Sequence, residues 1–407
     1  MKIKVGVIFG GESVEHEVSI ITAVQAMEFL DKDKYEPIPI YIAKDRTWYT
    51  GPMLKEMEVF RDMNLLKRYA KKVVLIKRDG KFCLQRIDGF FKKVIDTIDI
   101  AFPIVHGKGV EDGSLSGLLE QVGIPIVGPK TIGAALGQDK VIQKQVLSAN
   151  QLPVVDYVWF YDYEYERNPE EIEEQIEKLQ FPVIVKPARL GSSIGIEVVK
   201  TKKTLRSAIE EAIKYDTKIL VEKVITQLLE VDCAVLGNYE RVETSLIGEM
   251  LTDHEFLTFE DKYISGGGKK KMPSKKMSNS ISTSGFEIPA TMDSKMKEEI
   301  YDLSKKAFRA LNLSGVTRFD FLVDKDTKKI YINEPNTIPG CLAFFFFTPL
   351  GKEYTSLLDE MITLSIKEYK QERTKVTSFA SNILSTYTGG TKSAKTKMSY
   401  MHKKDNE

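Results

Sequence analysis

Two carboxylates and an amide in the last third of the chain, Asp320, Glu334 and Asn336, are hard oxygen donors in a combination suited to a divalent cation. Mg²⁺ takes such a set when phosphate oxygens and water complete its octahedron. The residues sit in Arg318-Phe319-Asp320, within the apolar run Val316 to Val323, and in Glu334-Pro335-Asn336-Thr337-Ile338-Pro339-Gly340. The pattern predicts a strand over Phe319 to Val323, a turn over Asp324 to Lys329 and a returning strand over Ile330 to Asn333. Asp320 and Glu334 would then stand on neighbouring strands and face one ion, as in a two-metal nucleotide site. By residue type alone, a charged hairpin on a solvated sheet face fits equally well.

Other segments must decide. From Phe181 to Gly195 an apolar strand delivers Lys186 and then enters a loop containing Gly191, Ser192 and Ser193. Glycines allow close backbone approach, exposed amides and serine hydroxyls bind oxyanions, and lysine supplies a point charge, so the loop could fold over phosphates. Neither a Walker A loop nor a GxGxxG turn is present, which disfavours P-loop NTPases and Rossmann dehydrogenases. At the N-terminus a buried-type strand runs through Val5 to Phe9 into Gly10-Gly11, followed by Glu12, Glu15, His16 and Glu17. Acidic residues there suit a helix N-terminus through the macrodipole, and one of them could face a ligand amine. A second apolar strand, Ile98 to Val105, ends in His106-Gly107-Lys108-Gly109-Val110-Glu111-Asp112-Gly113. Loops after strands of an α/β sheet line its ligand crevice.

With these segments in this order, the chain resembles the D-alanine–D-alanine ligases of the ATP-grasp superfamily, over about residues 1 to 367. The resemblance implies an ATP-grasp fold of the α/β (α+β) class: a Rossmann-like parallel-sheet domain at 1–128, a small central domain at 129–221, and a larger C-terminal domain at 222–370. A mobile lid would span about 256–285 and a partly disordered tail 371–407. It also implies an activity, in which ATP phosphorylates the carboxylate of one D-alanine and the amine of another attacks the acyl phosphate. D-alanyl-D-alanine for peptidoglycan precursors, ADP and phosphate would result. Phosphoryl transfer asks for positioning and charge neutralisation, which these residue types supply.

The family's roles carry over position by position. Asp320, Glu334 and Asn336 match the ligands of two Mg²⁺ (or Mn²⁺) ions. Lys140 and Lys186 match phosphate-binding lysines, with Ser193 on the phosphate loop. Lys223 and Ile225 lie where backbone groups read adenine, Glu222 and Glu230 match the adenine and ribose contacts, and Phe256 matches an apolar residue against the base. Glu15 matches the partner of the first substrate's ammonium, and His106 lies where a histidine approaches its carboxylate. Arg318 and the Gly340 N–H match oxyanion stabilisers. Ser192 and the lid residue Tyr263 match partners that close over the site together with Glu15. A tyrosine at that position goes with an amine as second substrate. Lys262 would help to hold the acceptor carboxylate.

One departure follows Gly340, where the family usually carries small and hydroxyl residues. Here the run is Cys341-Leu342-Ala343-Phe344-Phe345-Phe346-Phe347, and Phe345 replaces the expected serine donor to the acceptor carboxylate. A missing bond to a charged partner is worth about 1.5–3 kcal/mol. The acceptor would therefore be bound more weakly or be a different amino acid in a specialised pathway, unless the phenylalanines are simply a buried wall. A non-catalytic ATP-binding regulator is the remaining alternative. The lid is rich in glycine and lysine, yet the whole chain of 407 residues carries only +1, which argues against nucleic acid as a partner. No apolar stretch is long enough to span a bilayer, so no membrane partner is expected either. Cys83, Cys233 and Cys341 are scattered without metal-site spacing, as in a reducing cytoplasm. The expected partners are small-molecule amino acids and a second copy in a homodimer.

Overall fold

The run from Val5 to Gly10 is buried throughout, and it forms most of the first strand, β1 (Ile3–Gly10). Such a continuous apolar run suits a strand covered on both faces. The computed structural model describes residues 2–191, 193–251, 285–378, 381–382 and 385. Residues 1–369 make one compact unit and residues 370–407 a second. After β1 come α1 (His16–Phe29), β2 (Tyr35–Ile42), β3 (Trp48–Thr50), α2 (Glu58–Arg61), α3 (Met63–Tyr69), β4 (Lys71–Arg78), β5 (Lys81–Arg86), β6 (Val94–Ile98) and β7 (Ile100–Val105). They build one sheet in the order β6-β5-β4-β3-β2-β1-β7.

Only β1, β2 and β7 run parallel, while β2 to β6 are joined antiparallel. The parallel sheet expected from the sequence is therefore three strands wide. The charged stretch from Met53 to Lys93 supplies β4 and β5 as well as α2 and α3. Its strand pattern is present in the sequence, with Val73 and Leu75 buried and Lys72 and Val74 exposed, but the outward lysines obscure it. The single strand expected over Ile98 to Val105 divides at Asp99. The Asp99 N–H donates to the Lys4 carbonyl at 2.8 Å, and its carboxylate accepts from the Lys4 N–H at 2.8 Å.

The chain then forms α4 (Ser114–Val122), α5 (Thr131–Gln138) and α6 (Lys140–Ala149). A four-stranded antiparallel sheet follows, in the order β10-β9-β11-β8, from β8 (Tyr157–Tyr161), β9 (Val183–Pro187), β10 (Glu197–Val199) and β11 (Lys218–Lys223). It is backed by α7 (Asp162–Arg167), α8 (Pro169–Glu177) and α9 (Lys202–Ile213). The third sheet has the order β14-β13-β12-β15-β16, from β12 (Leu228–Gly237), β13 (Val242–Met250), β14 (Phe286–Glu287), β15 (Gly315–Asp324) and β16 (Ile330–Asn336). Helix α10 (Ser294–Ala310) packs on it, and α11 (Tyr354–Glu372) closes the unit.

Between β16 and α11 a tight 3₁₀ turn spans Gly340–Phe346, with Cys341, Leu342 and Ala343 all near φ 50°. Left-handed backbone costs a non-glycine residue about 1–2 kcal/mol. It persists where the surroundings over-determine it, and here Leu342, Ala343, Phe344, Phe346 and Phe347 are buried in the same core as β1, α1 and α4. The four phenylalanines thus form largely a buried wall, with Phe345 alone half-buried. Of the expected lid, residues 256–284 lie outside the described residues, as does the tail from 386.

Candidate active site

The β15–β16 pair is an antiparallel ladder in which Asp320 lies opposite Glu334 and Arg318 opposite Asn336, with a register shift just after Asp320. Cross-strand partners on one face are close enough for their side chains to meet. The Asn336 amide donates to Asp320 Oδ2 at 3.0 Å. Arg318 grips the same carboxylate with two bonds, Nε to Oδ1 at 2.8 Å and Nη2 to Oδ2 at 2.9 Å, and its Nε lies 3.0 Å from Asp232 Oδ2. Asp232 stands opposite Asp320 on β12.

Helix α6 aims a lysine at the second carboxylate. Asp139 caps it by accepting from the Val141 and Ile142 N–H groups, each at 3.1 Å. Lys140, in the first turn, ion-pairs with Glu334 Oε2 at 3.0 Å and donates to the Leu190 carbonyl at 2.9 Å. One turn on, Lys144 is fully buried and contacts Glu222 Oε1 at 2.5 Å, while Lys186 from β9 contacts Glu222 Oε2 at 2.5 Å. Burial alone would raise the Glu222 pKa, but the two ammonium groups outweigh it and hold the carboxyl down to about 2. Burial works against the Lys186 ammonium, and the charges of Glu222, Glu334 and Glu230 more than offset it.

Lys140, Lys186, Glu222, Asp232, Arg318, Asp320 and Glu334 line one cleft between the second and third sheets, together with Ser193, Lys223, Val224, Ile225, Leu228, Glu230 and Met250. Most of its cationic side chains are already matched by carboxylates: Lys140 by Glu334, Lys186 by Glu222, and Arg318 by Asp232 and Asp320. A polyphosphate entering this cleft needs cations of its own. Among the described residues no cluster of three or more His, Cys, Asp or Glu could hold a metal unaided. Asp320, Glu334 and Asn336 fit Mg²⁺ as hard donors that share the ion with phosphate oxygens. The Glu222 carboxylate is engaged by Lys144 and Lys186 together.

A second group gathers around Glu15. This residue immediately precedes α1 and is buried, and a methyl group built on Gly107 would lie 2.7 Å from its Oε2, one on Gly191 3.1 Å. The N-terminal loop, the His106 loop and the phosphate loop therefore meet at one carboxylate. His106, immediately after β7, is buried with Nε2 3.4 Å from Thr22 Oγ1. Burial pushes its pKa down, against the opposing pull of Glu15 and the Ile338 backbone, so the ring is neutral near pH 7. Glu111 clasps the loop after β16: it accepts from Thr337 Oγ1 at 2.8 Å, from the Ile338 N–H at 3.1 Å and from the Gly107 N–H at 2.9 Å. Burial, and next the charge of Glu15, push its carboxyl up to about 7. Gly340 opens the 3₁₀ turn with free space where a side chain would be. Phe345 contacts Phe286, Phe344 and Phe346.

Four expected residues, Ser192, Phe256, Lys262 and Tyr263, lie outside the described residues. Sequence reasoning missed Lys144 and Asp232 and gave Glu111 no role. Lys144 is four residues after Lys140 on the same helical face, and Asp232 interrupts a buried strand two residues after Glu230. Both are patterns that a buried charge network leaves in a sequence.

Comparison with known proteins adds a decisive observation. The family described as D-ala D-ala ligase N-terminus matches residues 4–129, and D-ala D-ala ligase C-terminus matches residues 146–363. The chain belongs to the D-alanine–D-alanine ligase family. A D-alanine–D-alanine ligase of Thermosipho melanesiensis is 38% identical over 94% of this chain and 98% of its own length. Among solved structures, the VanG D-Ala:D-Ser ligase from Enterococcus faecalis superposes with a TM-score of 0.74 at 30% identity, covering 90% of this chain and all of that one. The D-alanine-D-alanine ligase from Coxiella burnetii gives 0.74 at 28% identity, covering 92% of this chain and 98% of that one. The fold of this family member is accordingly ATP-grasp, and its class of chemistry is ATP-dependent carboxylate–amine ligation.

Proposed function

We propose that the protein joins two D-alanines into D-alanyl-D-alanine at the expense of ATP, for peptidoglycan precursor synthesis. The observation that carries this reading is the meeting of Glu15, the His106 loop and Gly191 of the phosphate loop. It sets a buried carboxylate suited to a substrate ammonium beside a loop suited to phosphates. Lys140 and Lys186 hold the polyphosphate, the Lys223 to Ile225 backbone takes the adenine, and Glu230 takes the ribose. The γ-phosphoryl group passes to the carboxylate of the first D-alanine, whose ammonium pairs with Glu15 while neutral His106 approaches the carboxylate. The amine of the second D-alanine then attacks the acyl carbon and loses a proton, and phosphate departs. Arg318 and the Gly340 N–H stabilise the oxyanion of the tetrahedral intermediate. Asp320, Glu334 and Asn336 would hold two Mg²⁺ (or Mn²⁺) ions, which would supply charge neutralisation for the β- and γ-phosphates. Family resemblance assigns the closing role to Ser192 and Tyr263, the acceptor role to Lys262 and the base role to Phe256. That resemblance also supports a homodimer, and the scattered cysteines support a cytoplasmic location. No helix among the described residues is long and apolar enough to cross a membrane.

A second reading concerns the acceptor alone, and Phe345 favours it. The half-buried ring stands where the family places a hydroxyl, and a neighbour of the same fold is named for D-serine as acceptor. Phosphate release from Mg-ATP with D-alanine and with pairs of other D- and L-amino acids separates the two. Release that depends on D-alanine, with D-alanyl-D-alanine as product, supports the first reading. Turnover with a different pair only would transfer the protein to the second, and ATP binding without any turnover would overturn both.

A further inference from the structure

The antiparallel extension of the first sheet contributes nothing to the cleft, and its charge is unlike that of the rest of the chain. From Lys71 to Lys93 there are eight lysines and arginines against two aspartates, in a protein whose overall charge is +1. Both aspartates are drawn to arginines, Asp88 to Arg86 at 2.5 Å and Asp79 to Arg78 at 3.6 Å. Lys71, Lys72, Lys81, Lys92 and Lys93 are exposed and make no ion pair with a carboxylate among the described residues.

Charged residues on an antiparallel extension are commonly a guard against edge-to-edge association. That explanation does not cover the tip of the β5–β6 hairpin. Phe90 and Phe91 are 95% and 80% exposed, with ring centroids 5.3 Å apart, and Lys92 and Lys93 follow them directly. The tip is tied down. The Arg86 N–H donates to the Lys93 carbonyl at 2.8 Å, the Lys93 N–H to the Phe91 carbonyl at 2.9 Å, and the Ile87 N–H to the Lys72 carbonyl at 3.2 Å. Ile87 is exposed beside them, and Val74 is exposed on the outward face of β4 between Lys72 and Arg78.

We propose that this hairpin tip and the lysine-bearing face of β4 form a docking surface for an anionic phospholipid bilayer. Apolar rings enter the headgroup–acyl boundary while lysines stay at the charged surface, the division of labour used by proteins that lie on a membrane without spanning it. Basic residues near such a surface are attracted over about a Debye length, so the contact is salt-sensitive. Charge complementarity selects this occupant. A second copy would bring an equally basic face and be repelled, and a nucleic acid would satisfy the lysines but leave the aliphatic Val74 and Ile87 without a role. The sequence-based expectation of no membrane partner concerned spanning segments, which this surface does not require.

The test is co-sedimentation of the full chain with phosphatidylglycerol-containing vesicles and with pure phosphatidylcholine vesicles, at low and at 0.5 M salt. Binding to the anionic vesicles alone, lost at high salt, is expected. The double variant Phe90→Ser, Phe91→Ser should bind about tenfold more weakly or worse, since burying one such ring is worth roughly that factor or more. Its far-UV dichroism, thermal midpoint and ATPase or ligase turnover should match the parent, which separates lost docking from misfolding and keeps the result independent of the substrate assignment. Equal sedimentation of parent and variant would overturn the proposal. So would no binding to any vesicle, a variant that changes oligomeric state, or RNA that displaces the vesicles and binds the variant as well as the parent.

Discussion

Glu111 holds a proton that an exposed glutamate would have lost. Its carboxyl titrates near 4.5 when free and is pushed up to about 7 in the folded chain, by burial first and by Glu15 second. Between those values the folded state binds more protons than the unfolded one, so this group makes stability fall as pH rises towards 7. Glu111→Gln should flatten that decline, read as a shallower fall of the thermal midpoint from about pH 5 to pH 8. Parallel curves for variant and parent would contradict it. Asn336→Ala removes the neutral donor beside Asp320, and turnover at limiting Mg²⁺ should drop about tenfold or more, with partial recovery at high Mg²⁺. Near-normal turnover at limiting metal would remove Asn336 from the site. Phe345→Ser should lower the KM for D-alanine as acceptor about tenfold if the missing donor matters, and leave the donor-site KM unchanged. At this scale the sequence was legible wherever chemistry and local spacing coincide. Asp320 and Glu334 face each other because a two-residue period and a short turn fix the register. For Lys144 the four-residue spacing from Lys140 was visible but the partner was not, because Glu222 lies on a strand far along the chain and only folding brings them together.

Among the elements, α6 does more than connect. Its first turn is capped by Asp139, which also receives Lys218 Nζ at 2.7 Å, so the helix is pinned to β11 while Lys140 lines the cleft and Lys144 is buried against Glu222. Lys144→Met would leave Glu222 with Lys186 as its only ammonium partner, deep in the protein. Breaking a buried pair from one side costs about 3 kcal/mol or more, so the urea midpoint should fall with little change in slope. A variant as stable as the parent would show that the Lys186 contact is sufficient. Glu222 itself, held at about 2 against an ordinary 4.5, contributes stability that is complete above pH 4.5 and is lost as pH falls through about 2. The antiparallel strands β4 to β6 were hard to foresee for a physical reason: exposed lysines break up the apolar alternation, and Asp99 splits what reads as one continuous strand. A buried wall was one of the readings that the phenylalanine run left open. The left-handed turn that delivers it was not legible, since Cys341, Leu342 and Ala343 carry no sequence mark of that conformation.

For the whole molecule, the fold could be read from four short motifs in order because together they carry the family resemblance, whereas residue pattern alone gave only mixed α/β architecture. What those motifs do not disclose is where the core runs. Phe344 stacks on Tyr354 with centroids 4.4 Å apart, and both belong to the apolar cluster that contains Val7, Ile20, Phe102 and Leu119 from the first sheet and its helices. The last segment of the compact unit thus fills the interior of the first. The N-terminal family match at residues 4–129 is consequently not a module that can be cut out. Expressed alone, that fragment would expose the apolar surface now covered by Phe344, Phe346, Phe347 and Leu357 and should aggregate, whereas co-expression with residues 130–407 should restore a soluble complex. A folded, monomeric 1–129 fragment would disprove this. In evolutionary terms the two halves are locked to one another: a gene encoding either can be recombined only with a partner whose own phenylalanine turn fits the hollow left behind.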